Sequence, residues 1–383
     1  MTSALPSPPL FIGSEVYRGS SYGAYHPLGV PRVSTVMDLS RSLGWLPDSH
    51  YRPSPRAKPL ALLAWHGAEY LAALQRAEQL GAVSGEDVAR FNIGTPSNPV
   101  FPQMFRRPAT GAGGVMLAAE LVLNGGVVHV PGGGTHHGMP GRANGFCYLN
   151  DPVLCILALR RLGLVRIAYV DIDAHHPDGV EHGFAGDPQV LLISVHEEKR
   201  WPFTGELTAT GGGNCFNLPV PAGLNDSEMR LILQRLILPK LQAFVPQVVI
   251  LQCGADALAE DPLSRLMLSN NSHLAVVVAL RELAGRFIVL GGGGYNPWSV
   301  GRCWAAVWAA LCGQDIPDIL PGAAQDVLRA LEWRRLPKSK RPPEAWLTTL
   351  RDTPRNGPVR ADVMDRLGYL QRRNPVAGDA IAL

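Results

Sequence analysis

The feature that most constrains the fold of this chain is an alternation of short apolar runs with helical stretches. The apolar runs are Val127–Val130, Arg166–Val170, Val190–Val195, Val248–Gln252 and Phe287–Leu290. The helical stretches are Ala61–Leu80, Gly114–Leu123, Pro152–Leu162, Ser227–Phe244, Ser272–Ala284 and Ser299–Leu311. Apolar strands that alternate with helices are typical of a parallel sheet buried on both faces. We therefore predict an α/β fold with a mostly parallel central sheet and helices on both faces.

Four of the predicted strands are followed directly by glycine and polar residues. The segments that follow them are PGGGTHHG, DIDAHHPDG, CGADALAED and GGGGYNPW. In open α/β sheets, sites form beyond the carboxyl ends of the strands, and these ends lie at one edge. The sequence therefore predicts that histidine, aspartate and tyrosine side chains meet at this edge.

The composition excludes several classes of protein. Hydrophobic residues make up 46% of the 383 residues and charged residues 17%, which is typical of a globular chain and not of a disordered one. The net charge of +3 predicts no nucleic-acid partner, and no apolar run approaches the roughly 18 residues of a membrane span. The first residues lack the pattern of a signal peptide, and the six cysteines are scattered. We expect a cytoplasmic protein with no membrane partner, while the oligomeric state stays open.

The domain organisation follows from the same pattern. We expect residues 1–383 to form a single catalytic domain, with a core from about 10 to 312. Residues 313–383 contain short amphipathic segments and several prolines, and we interpret them as a C-terminal extension that packs on this core.

The segment DIDAHHPDG has the residues of a metal site. Alternate residues of an extended strand point the same way, so Asp173 and His175 offer one oxygen and one nitrogen ligand on a shared face. Asp256, which follows the apolar run Val248–Gln252, is the best candidate for a third ligand. Three protein ligands leave an open position, as in catalytic zinc sites, although Fe(II) also accepts such ligands.

Two adjacent histidines, His136 and His137, follow a glycine turn and are candidates for proton transfer to and from a metal-activated water. Each imidazole needs a carboxylate on its far nitrogen, and Asp171 and Asp178 remain after metal ligation. We assign no role to His176.

Tyr295 follows the four glycines Gly291–Gly294, where its hydroxyl would donate a hydrogen bond to an oxyanion opposite the metal. The glycine runs contain neither GxGxxG nor GxxxxGK[ST], so we expect no phosphate-bearing cofactor.

Four segments resemble the signature blocks of one known family. PGGGTHHGMPGRANGFCYLND, YVDIDAHHPDGVEHGF, QCGADALAEDPLS and LGGGGYNPWSVGRCW are similar to those of the histone deacetylase superfamily, which has the arginase/deacetylase fold. The nearest resemblance is to bacterial histone-deacetylase-like and acetoin-utilisation deacetylase proteins. HPLGVPRVS, FNIGTPSNP, PAGLNDSE and LRDTPRNGPVR extend the likeness over nearly the whole chain.

The resemblance implies the same roles for the ligands, the histidines with their carboxylates and the tyrosine. It further implies a substrate tunnel and a structural potassium ion. The tunnel residues would be Gly145, Phe146, Trp201 and Leu263, with Arg32 near an internal channel. The potassium ligands would be main-chain oxygens of Asp171, Asp173, His175, Ser194 and Val195.

Two positions depart from the patterns of related enzymes. Arginase-type hydrolases hold a second metal with a carboxylate where this chain has Leu258, so we expect one catalytic metal and not a binuclear manganese ureohydrolase. The relatives also carry a carboxylate, which grips the substrate's backbone amides, on the loop written here GTPSNP, where this chain has Ser97. This difference favours a small or differently shaped substrate.

The expected function is that of a zinc-dependent deacetylase. It would hydrolyse the acyl amide of acetyl-lysine or a similar acetylated amine to acetate and a free amine. The alternatives are an amidohydrolase for acetylpolyamines or other small molecules, and a catalytically silent acyl-binding protein.

Overall fold

An eight-stranded parallel sheet forms the centre of the molecule. The computed structural model describes residues 8–335 and 341–374, and the strands within them are β1 (Leu10–Gly13), β2 (Tyr51–Pro53), β3 (Gly126–Val130), β4 (Ile167–Asp171), β5 (Val190–Glu197), β6 (Cys215–Val220), β7 (Val248–Gln252) and β8 (Arg286–Leu290). The order across the sheet is β2-β1-β3-β8-β7-β4-β5-β6, and every neighbouring pair is parallel. The predicted α/β class and parallel sheet are therefore confirmed.

Helices cover both faces of the sheet. They are α1 (Val16–Gly19), α2 (Val33–Ser42), α3 (Pro59–Leu62), α4 (Ala68–Leu80), α5 (Gly85–Phe91), α6 (Arg106–Leu121), α7 (Asp151–Arg161), α8 (Asp178–Phe184), α9 (Asp226–Ile232), α10 (Leu238–Phe244), α11 (Asn270–Leu283), α12 (Pro297–Cys312), α13 (Gly322–Arg329), α14 (Glu344–Thr348) and α15 (Ala361–Gln371). A π-helical turn over Leu233–Ile237 joins α9 to α10. None of the helices in the described ranges is both long and apolar enough to span a membrane.

The apolar run of β7 is continuous because this strand is buried on both faces of the sheet. Val249 and Leu251 belong to the core on one face of the sheet, and Val248 and Ile250 to the core on the other. Successive strand residues point to opposite faces, so a strand buried on both faces needs apolar residues at every position.

Two predicted helices were wrong in extent. The stretch Ala61–Leu80 is interrupted, because Gly67 has extended backbone and donates its N–H to Pro140 O before α4 begins. Helix α6 begins at Arg106, eight residues earlier than predicted. Its glycines are required there by close packing, since a Cβ on Gly113 would lie 1.9 Å from Pro55 O.

The sequence patterns missed three strands. Strands β1 and β2 are short and lie at one edge of the sheet, and β6 lies at the other edge and contains Pro219. Short strands and a proline weaken the sequence signal, while an edge strand tolerates a residue with no N–H.

The segment after α12 packs on the rest of the molecule within the described residues. Leu328 of α13 and Leu367 of α15 are buried in the same core as β5 and β7. Residues 1–7, 336–340 and 375–383 of the predicted domain lie outside the described residues.

Candidate active site

The loops after β3, β4, β7 and β8 meet at the carboxyl edge of the sheet, as predicted. They line a cavity of about 810 Å³ that His137, His175 and Tyr295 reach from three different loops. Strands β3, β8, β7 and β4 are consecutive in the sheet, so their carboxyl ends bring these loops together. The edge is therefore a single site assembled from segments far apart in sequence.

Asp173, His175 and Asp256 form a buried cluster next to this cavity. One ligand atom from each lies within 4.8 Å of the others, and His175 Nδ1 is 2.8 Å from Asp256 Oδ2 and 3.2 Å from Asp173 Oδ1. Burial lowers the pKa of His175, but the two carboxylates outweigh it and raise that pKa to about 10. The carboxylates therefore create a negative field at the point where the three side chains meet.

Backbone amides fix the carboxylates of this cluster. Gly293 N donates to Asp173 Oδ2 at 2.7 Å, and Ala174 N donates to Asp256 Oδ1 at 2.9 Å. Such donors hold carboxylate ligands in one orientation. The close approach also requires glycine, since a Cβ on Gly293 would lie 2.0 Å from Asp256 Oδ2 and one on Gly254 would lie 2.1 Å from Asp173 Oδ2.

The donor set fits a divalent ion. Two buried carboxylates and one imidazole offer oxygen and nitrogen ligands with no thiolate, which suits zinc or Fe(II). Leu258 is fully buried and apolar, and it adds no ligand.

The two predicted histidines lie side by side, each with its predicted carboxylate. His136 Nδ1 is 2.8 Å from Asp171 Oδ2, and His137 Nδ1 is 2.7 Å from Asp178 Oδ1. Because a carboxylate accepts from Nδ1–H of each ring, the Nε2 atoms are left for the site. His136 Nε2 is 3.9 Å from Asp173 Oδ1, so this pair adjoins the metal-ligand cluster.

The pKa values of the two histidines move in opposite directions. Burial opposes a charge on His136, but Asp171 and Asp173 outweigh it and raise the pKa to about 9. Burial and the neighbouring His136 lower the pKa of His137 to about 4, against the opposing effect of Asp178. His137, the histidine that lines the large cavity, is therefore uncharged at neutral pH and can accept a proton.

Tyr295 lines the cavity with His137, and the buried Asp261 fixes its backbone. Asp261 Oδ2 accepts from Tyr295 N at 2.7 Å, and Asp261 Oδ1 accepts from Leu263 N at 2.9 Å. Burial raises the pKa of the Tyr295 phenol well above its usual value, so the hydroxyl keeps its proton. The carboxylate thus joins the tyrosine loop to the segment that carries Leu263.

The predicted tunnel residues lie together. Phe146 has a φ of 67°, and Gly145 a φ of 51°, which is a left-handed conformation that only glycine adopts without cost. Asn98 Oδ1 accepts from Phe146 N at 3.1 Å, and Tyr22 Oη donates to Phe146 O at 3.0 Å, so the strained backbone is held from both sides.

Trp201 lines the same cavity. Its ring contacts His137 edge to face with centroids 4.6 Å apart, and a Cβ on Gly145 would lie 2.2 Å from Trp201 Cη2. Leu263 and Ser97 line the outer part of the cavity. Both aromatic rings and Gly145 therefore line the same cavity that His137 and His175 reach.

A second cavity of about 50 Å³ lies beneath the first. Arg32 lines it with His136 and Tyr295, and the guanidinium donates to Gly292 O. His176 is buried away from both cavities, where Nδ1 contacts Thr204 Oγ1 at 2.9 Å and Nε2 contacts Glu181 Oε2 at 3.0 Å.

Three polar residues that sequence reasoning had not singled out position the site. Asp151 accepts from Gly134 N at 2.6 Å and from Thr135 N at 3.0 Å, and thereby shapes the turn before the histidines. Asn144 donates to Asp178, and Asp261 accepts from the tyrosine loop. Asp261 stood within the quoted segment QCGADALAEDPLS, but its partners come from another strand end, so spacing carried no signal for its role.

Comparisons with known proteins identify the family of the chain. The histone deacetylase domain model matches residues 26–311. The acetoin utilization protein AcuC of Bacillus subtilis is 33% identical over 326 residues, which cover 82% of this chain and 84% of AcuC. Human histone deacetylase 1 is 32% identical over 311 residues, or 78% of this chain and 64% of that protein.

The solved structures give the same result for the fold. The histone deacetylase homologue of Aquifex aeolicus superimposes with a TM-score of 0.91 at 35% identity, over 95% of this chain and 100% of that one. A structure of a histone deacetylase homologue in complex with SAHA matches equally well, also with a TM-score of 0.91. The family model, the relatives and the fold agree, and the chain belongs to the histone deacetylase family, close to its bacterial members.

Proposed function

We propose that this deacetylase-family enzyme is a zinc-dependent hydrolase of linear acyl amides, which converts acetyl-lysine or a similar acetylated amine to acetate and a free amine. The observation that carries the proposal is the cluster of Asp173, His175 and Asp256 beside His137 and Tyr295. Three ligands, a proton acceptor and a hydroxyl donor thus lie at the inner end of one passage. These are the groups that hydrolysis of an unactivated amide requires.

Asp173, His175 and Asp256 would hold one Zn²⁺ per chain, with Fe²⁺ as the alternative. The ion would polarise the acyl carbonyl and lower the pKa of a water at its open position. Leu258 supports a single metal, because it is apolar and buried at the position where the resemblance to arginase-type hydrolases would require a second-metal carboxylate.

The chain's own residues would then move the protons. His137, with the charged His136 beside it, takes the proton of the attacking water, and Asp178 stabilises the imidazolium that forms. The Tyr295 hydroxyl donates a hydrogen bond to the oxygen that gains negative charge. The imidazolium returns its proton to the nitrogen as the C–N bond breaks, and the amine takes the remaining proton of the acetic acid, so that acetate and an ammonium ion leave.

Phe146 and Trp201 would hold the linear aliphatic stem of the substrate. Their rings and Gly145 line the passage between the outer surface and the histidines. An apolar stem fits between aromatic walls, while the amide reaches the polar end. Acetyl-lysine has this shape. Ser97, in place of a carboxylate at the mouth, favours a small acetylated amine such as an acetylpolyamine as the second candidate.

The proposal includes a structural potassium ion held by main-chain oxygens of Asp171, Asp173, His175, Ser194 and Val195. Asp171 and Ser194 are register partners in β4 and β5, which supports a shared site. The proposal also includes a cytoplasmic location. None of the six cysteines forms a disulfide, which supports a reducing compartment.

The test is acetate release from an acetyl-lysine peptide and from acetylspermidine by enzyme loaded with Zn²⁺ or Fe²⁺. We expect turnover that depends on the metal. Tyr295→Phe should lower kcat by about 10²- to 10³-fold and leave the metal content unchanged. Stoichiometric metal without turnover of any acyl amine would refute the proposal and favour a silent acyl-binding protein. Full activity of the variant would remove Tyr295 from the mechanism.

A further inference from the structure

The cavity of about 810 Å³ is lined by more basic than acidic side chains. The mouth, defined here as Glu197, Glu198, Lys199, Arg200 and Arg265, supplies every Asp, Glu, Lys and Arg side chain that lines the cavity in the described parts of the chain. Two are acidic and three are basic. The neutral polar residues Asn92, Thr95, Ser97 and Asn144 also line the cavity.

Both acidic side chains of the mouth are already paired. Glu197 is 6% exposed; its Oε1 accepts from Arg200 Nη2 at 2.8 Å, and its Oε2 accepts from Arg265 N at 2.7 Å. Glu198 Oε2 accepts from Arg366 Nη2 at 2.9 Å. Neither carboxylate is therefore left to attract a cationic substrate.

Lys199 and Arg265, the two basic residues of the mouth other than Arg200, remain available to bind an anionic group. Lys199 and Arg265 are exposed, and neither side chain has an acidic partner within residues 8–335 and 341–374. Lys199 has a φ of 54°, a conformation that non-glycine residues adopt mostly where the surroundings enforce it. Because the backbone N–H of Arg265 is bound by Glu197, the base of its side chain is fixed while the guanidinium remains free.

We infer that this mouth selects acyl amines that carry an anionic group next to the acylated stem. This inference rests on the proposed function and names the substrate class of the same site. The stem enters between Phe146 and Trp201, and a carboxylate outside the passage meets Lys199 and Arg265. A polycation such as an acetylpolyamine meets like charges instead, and like charges suppress binding.

Two sources supply the same chemistry. The carboxylate belongs either to acidic residues that flank an acetyl-lysine in a peptide or to the α-carboxylate of free Nε-acetyl-lysine. The first source is tested with peptides in which an acetyl-lysine is flanked by two Glu, two Gln or two Lys. The second is tested with free Nε-acetyl-lysine against its α-amide.

The experiment measures kcat/KM for these substrates and for acetylspermidine, at low and high salt. We expect Glu-flanked peptides to exceed Lys-flanked ones by about tenfold at low salt, with a smaller ratio at high salt, because exposed charges are weak and screened. Lys199→Glu/Arg265→Glu should reverse the order, so that Lys-flanked peptides exceed Glu-flanked ones. Lys58→Glu/Arg230→Glu, which changes two exposed cations outside the cavity, is the matched control and should keep the order.

The outcomes separate the two proposals. Turnover of every peptide at equal kcat/KM, or a preference for acetylspermidine, would overturn the charge selection and leave the deacetylase proposal standing. No turnover of any substrate by metal-loaded enzyme would refute the proposed function itself. A preference that the control variant reverses equally would assign the effect to net charge and overturn the role of the mouth.

Discussion

The inner end of the cavity and its mouth are built on opposite principles. At the inner end, Asp173, Asp256 and His137 are buried, and each makes a short hydrogen bond to a fixed partner. At the mouth, Lys199 and Arg265 are exposed and their charged groups have no acidic partner in the described residues. The difference implies that chemistry depends on rigid geometry at the inner end, while substrate choice depends on screened charges at the mouth. Changes at the inner end should therefore have large effects and changes at the mouth small ones.

The largest effect is expected from Asp256→Ala. Removal of a carboxylate ligand leaves two protein ligands, so we expect loss of bound metal and a fall in kcat/KM of more than about 10³-fold. Metal analysis of the purified variant, beside a turnover assay, measures both. A variant that retains stoichiometric metal would show that Asp256 is not the third ligand.

A smaller loss is expected from Gly293→Ala. The added Cβ would lie 2.0 Å from Asp256 Oδ2, so the carboxylate or the loop must shift. Displaced supports of metal ligands typically lower metal affinity by about 10- to 100-fold, which a chelator competition titration would detect. Gly285→Ala, in the residue that precedes β8, is the matched control, since nothing lies within 4 Å of a Cβ there. Equal metal affinity in the two variants would contradict the close-packing argument.

A moderate effect is expected from Asp261→Asn. The amide offers one acceptor to the two N–H groups of Tyr295 and Leu263, so one of them loses its bond, at a cost of about 1–3 kcal/mol. If Asp261 acts through the tyrosine, kcat should fall about tenfold with little change in KM. The effect should largely vanish in a Tyr295→Phe background. Additive losses in the double variant would assign Asp261 a purely structural role.

The smallest effect is expected from Ser97→Asp, in the exposed loop that lines the cavity beside the mouth. The new carboxylate restores the group that the family resemblance places on this loop, where it would accept from substrate backbone amides. We expect KM for a neutral acetyl-lysine peptide to fall a few-fold and kcat to stay constant, since an exposed contact is worth about 1 kcal/mol or less. KM for acetyl-lysine amide, which lacks neighbouring peptide units, is the control. A change in kcat would show that this loop influences the chemistry.

Local sequence pattern was sufficient for the parts of this protein that are continuous in the chain. The apolar run of β7 predicted a strand buried on both faces, because side chains alternate between faces and all of them must be apolar. The position of DIDAHHPDG after such a strand predicted that Asp173 and His175 would lie at the sheet edge. That Asp171 and Asp178 would orient the two histidines followed from the need of an imidazole for a carboxylate partner, and the structure decides that Asp171 pairs with His136.

Tertiary structure decided what depends on residues distant in sequence. Asp261 supports Tyr295 only because the loops after β7 and β8 lie side by side, and a separation of 34 residues in the sequence carries no periodic signal. The break before α4 depends on a hydrogen bond from Gly67 to Pro140, which local helix propensity does not include. The free charges at the mouth likewise depend on which acidic groups are already paired, as Glu197 is with Arg200 and Glu198 with Arg366. The sequence by itself determined the chemical groups of the site, and only the folded chain decided which are fixed, which are neutralised and which remain free to select a substrate.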